Sequence, residues 1–375
     1  MLTAETPSLA TRSAAASRIS SLRTSGSSRV RAGLVGSAGV FFRGLFLSME
    51  KQECALVSGQ SAVYYDVDVC CNKVERSMTS FIERYFEQGD IRLHYVEGGQ
   101  LDGTAPLILF YHGFPSFWYS FHLQMEAFAD DYHVVAVDGL GANLSSRPAD
   151  LEHYKIENLA NQIDELALHL AGDEKFYLVG HDWGGALAWA YAQQYSARLK
   201  KLVVLSAPPY NQLLSMLQTN ATQRERSSYM YSMRDGDLNR SMTRNNNQRV
   251  CDNICKGLGK LPHFNEDMER AFRQGLSVPG AIDAGINWYR ANIPPVDAIA
   301  DEDFWPGKHA STSVPSLLIW GDADLTFVSE FIDDLADYAE NLSVHHLPEV
   351  GHSPMLEKPV EVNAVIRRFL ATGAG

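Results

Sequence analysis

The residue with the clearest chemical signature in this sequence is Asp182. It lies in the segment Gly180-His181-Asp182-Trp183-Gly184-Gly185, after the apolar run Phe176–Val179 and before a stretch rich in helix-forming residues. The spacing Gly-x-Asp-x-Gly predicts a nucleophile elbow, a tight strand-to-helix turn that holds one side chain over the end of a sheet. A carboxylate at that point needs no base to deprotonate it and can attack carbon to form an ester.

A histidine and an acid further along the chain could complete a triad with this nucleophile. His352 follows Gly351 after the predicted strand Ser343–Leu347, and two acids, Asp322 and Asp324, follow the predicted strand Ser316–Trp320. The carboxyl ends of parallel strands meet at one edge of a sheet, where active sites of such folds form. The order nucleophile, acid, histidine is typical of α/β-hydrolases, and the spacing alone leaves both acids open.

The segment His112-Gly113-Phe114-Pro115 ends another apolar run, Leu107–Tyr111. In this fold, the oxyanion hole uses the backbone N–H after the nucleophile and one from this loop. Those groups would belong to Trp183 and Phe114. We expect His112 to hold the loop's shape, and we place it with Pro115 and Trp118 in an apolar substrate pocket.

Strands and helices alternate over most of the chain, which predicts an α/β fold with a mainly parallel sheet covered by helices. After Pro208-Pro209 about 100 residues have few β-branched runs and predict a helical cap inserted into that fold. The predicted division is an N-terminal extension over 1–80, a first core part over 81–208, the cap over 209–310 and a second core part over 311–375.

The N-terminus and the overall composition narrow the cellular context. Residues 1–50 contain six Arg, no Lys, ten Ser and two acids, a composition typical of an organelle transit peptide. An untargeted disordered tail, or a working start at Met49, would explain it as well. The expected location is therefore cytoplasmic or, with a transit peptide, mitochondrial or in another organelle. The net charge of −13 argues against nucleic acid as the main partner.

The cysteines and the apolar runs predict neither a metal centre nor a membrane span. The five Cys form no CxxC pair, and nothing near Cys251 and Cys255 completes a metal site. No run reaches the roughly 18 to 20 apolar residues that a membrane span needs. The oligomeric state stays open.

Four motifs resemble those of the α/β-hydrolase epoxide hydrolases, both soluble and bacterial, over residues 82–370. These motifs are His112-Gly113-Phe114-Pro115-Ser116-Phe117-Trp118-Tyr119-Ser120, Asn143-Leu144-Ser145-Ser146-Arg147-Pro148, Gly180-His181-Asp182-Trp183-Gly184-Gly185 and Asn287-Trp288-Tyr289-Arg290. The sequence departs from the family pattern at Phe121 and His122, where Trp and Arg are frequent, and at Leu140, where Arg is common. These departures concern substrate preference and cap closure rather than the chemistry.

The resemblance implies hydrolysis of a lipophilic epoxide to a vicinal diol in two steps, without a metal or an organic cofactor. Asp182 would form the ester, and His352, oriented by Asp324, would activate the water that breaks it. Two cap tyrosines would donate hydrogen bonds to the epoxide oxygen. Tyr289 matches the second of these, and Tyr229 fits the first, with Tyr231 in reserve.

Two other functions are compatible with this sequence. A haloalkane or haloacid dehalogenase would keep Asp182, His352 and Asp324 but would need halide-binding donors in place of the tyrosine pair. A non-catalytic binding protein on this fold would not need the triad at all. A serine esterase is disfavoured because position 182 is Asp.

Overall fold

The computed structural model describes residues 81–236 and 238–372, together with the strands β1 (Leu45–Ser48), β2 (Glu53–Ser58) and β3 (Ser61–Asp66). These three strands form an antiparallel sheet in the order β1-β2-β3. The predicted transit peptide lies outside the described residues except for β1. The 1–80 extension, likewise, is described only in these three strands.

A second sheet of eight strands organises the rest of the described chain. Its strands are β4 (Ile82–Gln88), β5 (Ile91–Gly99), β6 (Leu107–Tyr111), β7 (His133–Val137), β8 (Phe176–His181), β9 (Leu199–Leu205), β10 (Ser316–Gly321) and β11 (Leu342–Leu347). Their order is β11-β10-β9-β8-β6-β7-β5-β4. The pairs β4–β5 and β5–β7 are antiparallel and the others are parallel, so the predicted mainly parallel sheet is confirmed.

Helices flank this sheet and also form the inserted segment. The core helices are α1 (His122–Phe128), α2 (Ile156–Ala171), α3 (Trp183–Gln194), α12 (Pro354–Glu357) and α13 (Pro359–Ala371). The helices between β9 and β10 are α4 (Tyr210–Thr219), α5 (Ala221–Arg226), α6 (Ser228–Arg234), α7 (Asn239–Met242), α8 (Arg244–Leu258), α9 (Glu266–Leu276), α10 (Ala281–Gly285) and α11 (Asn287–Asn292). The exact cap boundaries at 209 and 310 stay a prediction.

The inner strands of the eight-stranded sheet are buried, and they support the elbow. Every residue of β6 and β10 is buried, which matches the uninterrupted apolar runs expected of strands covered on both faces. Helix α3 is buried from Trp183 to Ala192. The turn between β8 and α3 is therefore enclosed by packed side chains. No described helix is long and apolar enough to cross a membrane.

Candidate active site

The turn between β8 and α3 has the geometry of a nucleophile elbow. Asp182 occupies the left-handed region with φ +53° and ψ −124°, a strained conformation for a residue with a side chain. Two glycines allow the tight turn: a methyl group on Gly180 would collide with the backbone of Gly184, and one on Gly184 with the carbonyl of Tyr111. The strain is held by this packing, and it projects the Asp182 side chain beyond the end of the sheet.

The Asp182 carboxylate is buried, only 6% exposed, and is contacted from two sides. Its Oδ1 accepts a hydrogen bond of 2.8 Å from the backbone N–H of Phe114, and the backbone N–H of Trp183 lies close enough to lower the pKa of the carboxylate. Its Oδ2 lies 3.3 Å from Nε2 of His352. Burial raises the pKa of Asp182, but the hydrogen bond and charge of His352, with smaller effects from His181 and the Trp183 N–H, together hold it below its ordinary value. The Asp182 carboxylate is therefore ionised.

His352 bridges Asp182 and Asp324. Its Nδ1 lies 2.8 Å from Oδ2 of Asp324, whose other oxygen accepts from the backbone N–H of Thr326 at 2.6 Å. Burial lowers the pKa of His352, yet the hydrogen bonds to the two carboxylates raise it to about 10. The resting site thus contains an imidazolium between two carboxylates.

The structure distinguishes the two acids that follow β10. Asp322 points away from the site and pairs with Nδ1 of His346 at 2.7 Å on an exposed surface. Asp324 is buried and contacts His352. Only Asp324 of this pair can orient the histidine.

Two tyrosines of the inserted helices, Tyr229 and Tyr289, lie next to each other and close to Asp182. The rings of Tyr229 on α6 and Tyr289 on α11 are 6.2 Å apart in an edge-to-face arrangement, and each phenol affects the pKa of the other. Burial raises the pKa of both phenols well above the ordinary value, and the nearby charge of Asp182 adds to it. Both are therefore protonated donors. Tyr231, two residues along the same helix, faces Arg234 instead.

The loop after β6 is held in place by His112. This histidine is buried, donates from Nδ1 to the Gly113 carbonyl at 2.7 Å and accepts at Nε2 from the Gly139 N–H at 2.9 Å. Burial lowers its pKa, so the ring is neutral. These bonds fix the loop whose next residue, Phe114, donates to Asp182. His112 thus has the loop-holding contacts that the sequence predicts.

A narrow cavity lies between this loop and the inserted helices. Its wall is mostly apolar and includes His112, Phe114, Pro115, Leu140, Leu276, Ile282 and Trp288. Of the three predicted pocket residues, His112 and Pro115 line it and Trp118 does not. The backbone N–H of Trp118 instead donates to Asp138 at the end of β7, at 2.9 Å. This hydrogen bond holds the segment after the loop next to the end of β7.

Two side chains of the inserted helices also form hydrogen bonds with the loop that carries Asp324. The buried amide of Gln223 on α5 donates to the Thr326 carbonyl at 3.2 Å and accepts from the Val328 N–H at 3.0 Å. Arg226 donates to the carbonyl of Asp324 itself. No sequence signal pointed to Gln223 or Arg226, because their partners lie about 100 residues away along the chain. The segment that supplies Tyr229 therefore also positions the acid.

Metal-binding geometry is absent from the part of the chain that the structure describes. No group of three or more His, Cys, Asp or Glu side chains there could hold an ion. Cys251 and Cys255 are free, buried thiols on α8.

Comparison with known proteins agrees with this geometry. Residues 106–359 match the family model described as alpha/beta hydrolase fold. Epoxide hydrolase 1 of Caenorhabditis elegans is 30% identical over 292 residues, covering 76% of this chain and 70% of that protein. Human epoxide hydrolase 4 is 32% identical over 287 residues, covering 75% and 76%.

A solved structure shows the same likeness in three dimensions. A crystal structure of a Bacillus megaterium epoxide hydrolase with an inhibitor has a TM-score of 0.69 and 32% identity, covering 77% of this chain and 100% of that one. The chain therefore belongs to the α/β-hydrolase fold family, and within that family to the epoxide hydrolases.

Proposed function

We propose that this protein hydrolyses a lipophilic epoxide to a vicinal diol through an ester of Asp182. The observation that carries the proposal is the pair of protonated tyrosines over an ionised, buried carboxylate. An epoxide carbon is a poor electrophile until its oxygen receives a hydrogen bond. Tyr229 and Tyr289 supply that donor on the side of Asp182 that faces the inserted helices.

In the first step, Oδ2 or Oδ1 of Asp182 attacks an epoxide carbon and the carbon–oxygen bond of the ring breaks. The negative charge that develops on the epoxide oxygen is stabilised and protonated by the tyrosine pair. The product is a hydroxyalkyl ester of Asp182. No base is needed here, because the carboxylate is already ionised.

In the second step, His352 takes a proton from water and the hydroxide attacks the ester carbonyl carbon of Asp182. The carbonyl oxygen becomes an oxyanion, which the N–H groups of Phe114 and Trp183 can hold. The Phe114 N–H already donates to the resting carboxylate, and the Trp183 N–H lies near enough to lower its pKa. The ester bond then breaks, the leaving oxygen takes the second proton of the attacking water, and the diol leaves with the oxygen that came from Asp182.

His352 can act as a base only because the first step changes its surroundings. In the resting site two carboxylates raise its pKa to about 10 and keep it protonated. Esterification removes the negative charge of Asp182, so the pKa of His352 falls, and its proton restores the tyrosine that protonated the epoxide oxygen. Asp324 remains to hold the ring in the right tautomer.

The aromatic rings of Phe114, Trp183 and Tyr289, which pack against one another beside Asp182, favour an aryl or alkyl epoxide over a charged one. A variant of the Bacillus megaterium enzyme has been crystallised with (R)-3-[1]naphthyloxy-propane-1,2-diol as its product. The corresponding glycidyl ether, with its fused aromatic ring, is therefore a suitable probe for this chain. The site does not favour the dehalogenase hypothesis. The donors near Asp182 on the inserted helices are tyrosines, not the halide-binding donors that a dehalogenase needs.

The test is turnover of that glycidyl ether by the wild type and by Asp182→Ala. We expect diol formation by the wild type and its loss in the variant, while circular dichroism shows that the variant remains folded. Hydrolysis of the epoxide at the wild-type rate by Asp182→Ala would refute the proposal. A chloroalkane and a chloroacid run alongside should release no chloride.

A further inference from the structure

The backbone on both sides of His352 is bound by one carboxylate. Oε2 of Glu357 accepts from the Gly351 N–H at 2.8 Å, and Oε1 accepts from the Ser353 N–H at 3.0 Å. Both oxygens of Glu357 are thus used, one on each neighbour of the histidine. Because hydrogen bonds to an ionised acceptor are about twice as strong as neutral ones, these two fix the loop firmly.

The carbonyl of His352 is held from the opposite side by His181. Nε2 of His181 donates to that carbonyl at 2.7 Å. Burial, followed by the charge of His352, lowers the pKa of His181 to about 4. His181 is therefore neutral and donates through Nε2 without adding a second positive charge beside His352.

The loop needs such support because its backbone is strained and closely packed. Glu349 lies in the left-handed region with φ +61°, an unfavourable conformation for a side chain of this size. A methyl group on Gly321, at the end of β10, would collide with the Gly351 carbonyl. The loop is thus pressed against the sheet, and its position depends on the contacts that hold it there.

We infer that Glu357 and His181 are positioning residues that form a clamp on the His352 loop and serve the second half-reaction. The inference rests on the proposed function, in which His352 acts on water only after the ester has formed. Asp182 attacks the epoxide without a base, and the charge of His352 still keeps Asp182 ionised after a displacement of about 1 Å, so such a displacement should leave that step intact. The attack of water requires Nε2 at the right place, and a misplacement of about 1 Å can cost about 100-fold in rate.

The most selective perturbation is Glu357→Gln, which keeps the shape of the side chain. The amide can still accept from one backbone N–H, but its NH2 group faces the other N–H and repels it. We expect hydrolysis of the ester to slow by about tenfold or more, with the alkylation rate unchanged. In steady state kcat and KM then fall together, so that kcat/KM is preserved.

A matched control is available four residues along the chain. Glu361→Gln makes the same chemical change on α13 at an exposed carboxylate whose nearest ionic partner is His345, 4.0 Å away. It should keep wild-type rates for both steps. His181→Gln releases the clamp from the other side, and it should slow ester hydrolysis selectively as Glu357→Gln does.

The experiment is rapid-quench mixing of enzyme and naphthyl glycidyl ether, with the ester on the intact protein followed by mass spectrometry. Accumulation of the ester in Glu357→Gln beyond the wild-type level, at an unchanged formation rate, is the expected result. Equal slowing of both steps, or two wild-type rates, would overturn the inference. If Glu357→Gln proves too unstable to purify, His181→Gln decides between these outcomes.

The wild-type trace separates this inference from the proposed function. If the wild type forms no ester, the covalent mechanism fails and the clamp fails with it. If the wild type forms and hydrolyses the ester while the two clamp variants behave like Glu361→Gln, only the clamp is refuted. Thermal midpoints of all variants show whether a lost rate reflects general unfolding.

Discussion

Replacing Asp182 with Asn should lower the pKa of His352 and thereby reproduce the change that ester formation causes. The variant removes the charge but keeps the size of the side chain. At 3.3 Å from Nε2 to Oδ2, the lost attraction is about 5 kcal/mol at an effective dielectric constant of about 20. Since about 1.4 kcal/mol corresponds to one pH unit, the titration of His352 should move downward by well over one pH unit.

The assay is NMR titration of the imidazole signals in protein carrying isotope-labelled histidine, with His352→Gln used for assignment. The wild-type signal should titrate near pH 10 and the Asn variant's signal distinctly lower. Intact mass confirms that the side chain is still an amide during the titration. A His352 pKa that is the same in both proteins would refute the reasoning, because Asp182 would then not control the base.

Three further results are expected. Tyr289→Phe removes one donor to the epoxide oxygen and should slow alkylation by about 100-fold while ester hydrolysis is unaffected; Tyr231→Phe is the control in the same rapid-quench assay. Gln223→Ala removes the buried amide that holds the Asp324 loop and should lower the free energy of unfolding by about 2–3 kcal/mol in urea titrations, and an unchanged midpoint would contradict that role. For His352→Gln, the raised native pKa means that the charged histidine stabilises the wild type fully below about pH 6.5 and loses this effect as pH rises to about 10. The difference in thermal midpoint between wild type and variant should therefore shrink over that range, and a difference independent of pH would contradict it.

Local sequence patterns predict those parts of the site that depend on local backbone geometry. The elbow is set by Gly180, Asp182 and Gly184, which lie within five positions, so its turn and its nucleophile are visible in the chain. The apolar runs of β6 and β8 likewise predict buried strands. Strand β4 cannot be predicted in the same way, because it is an edge strand of mixed exposure and its polar residues do not alternate regularly with apolar ones.

Contacts between residues that are distant in sequence could not be predicted from local sequence patterns. Asp322 and Asp324 lie in the same short loop, and contacts outside that loop distinguish them: Asp322 pairs with His346 on strand β11, and Asp324 with His352. The role of Gln223 is also invisible in its local sequence, because its partners Thr326 and Val328 lie in the loop after β10. Glu357 lies close to His352 in sequence, yet its role depends on how the short helix α12 turns its carboxylate back toward the loop.

The most direct test of the central claim is a single turnover of the epoxide in oxygen-18 water with enzyme in excess. The covalent mechanism predicts that the first diol carries unlabelled oxygen from Asp182, and that the label appears in the peptide containing Asp182. A first diol that carries the label, with an unlabelled Asp182 peptide, would show direct attack by water and contradict the account.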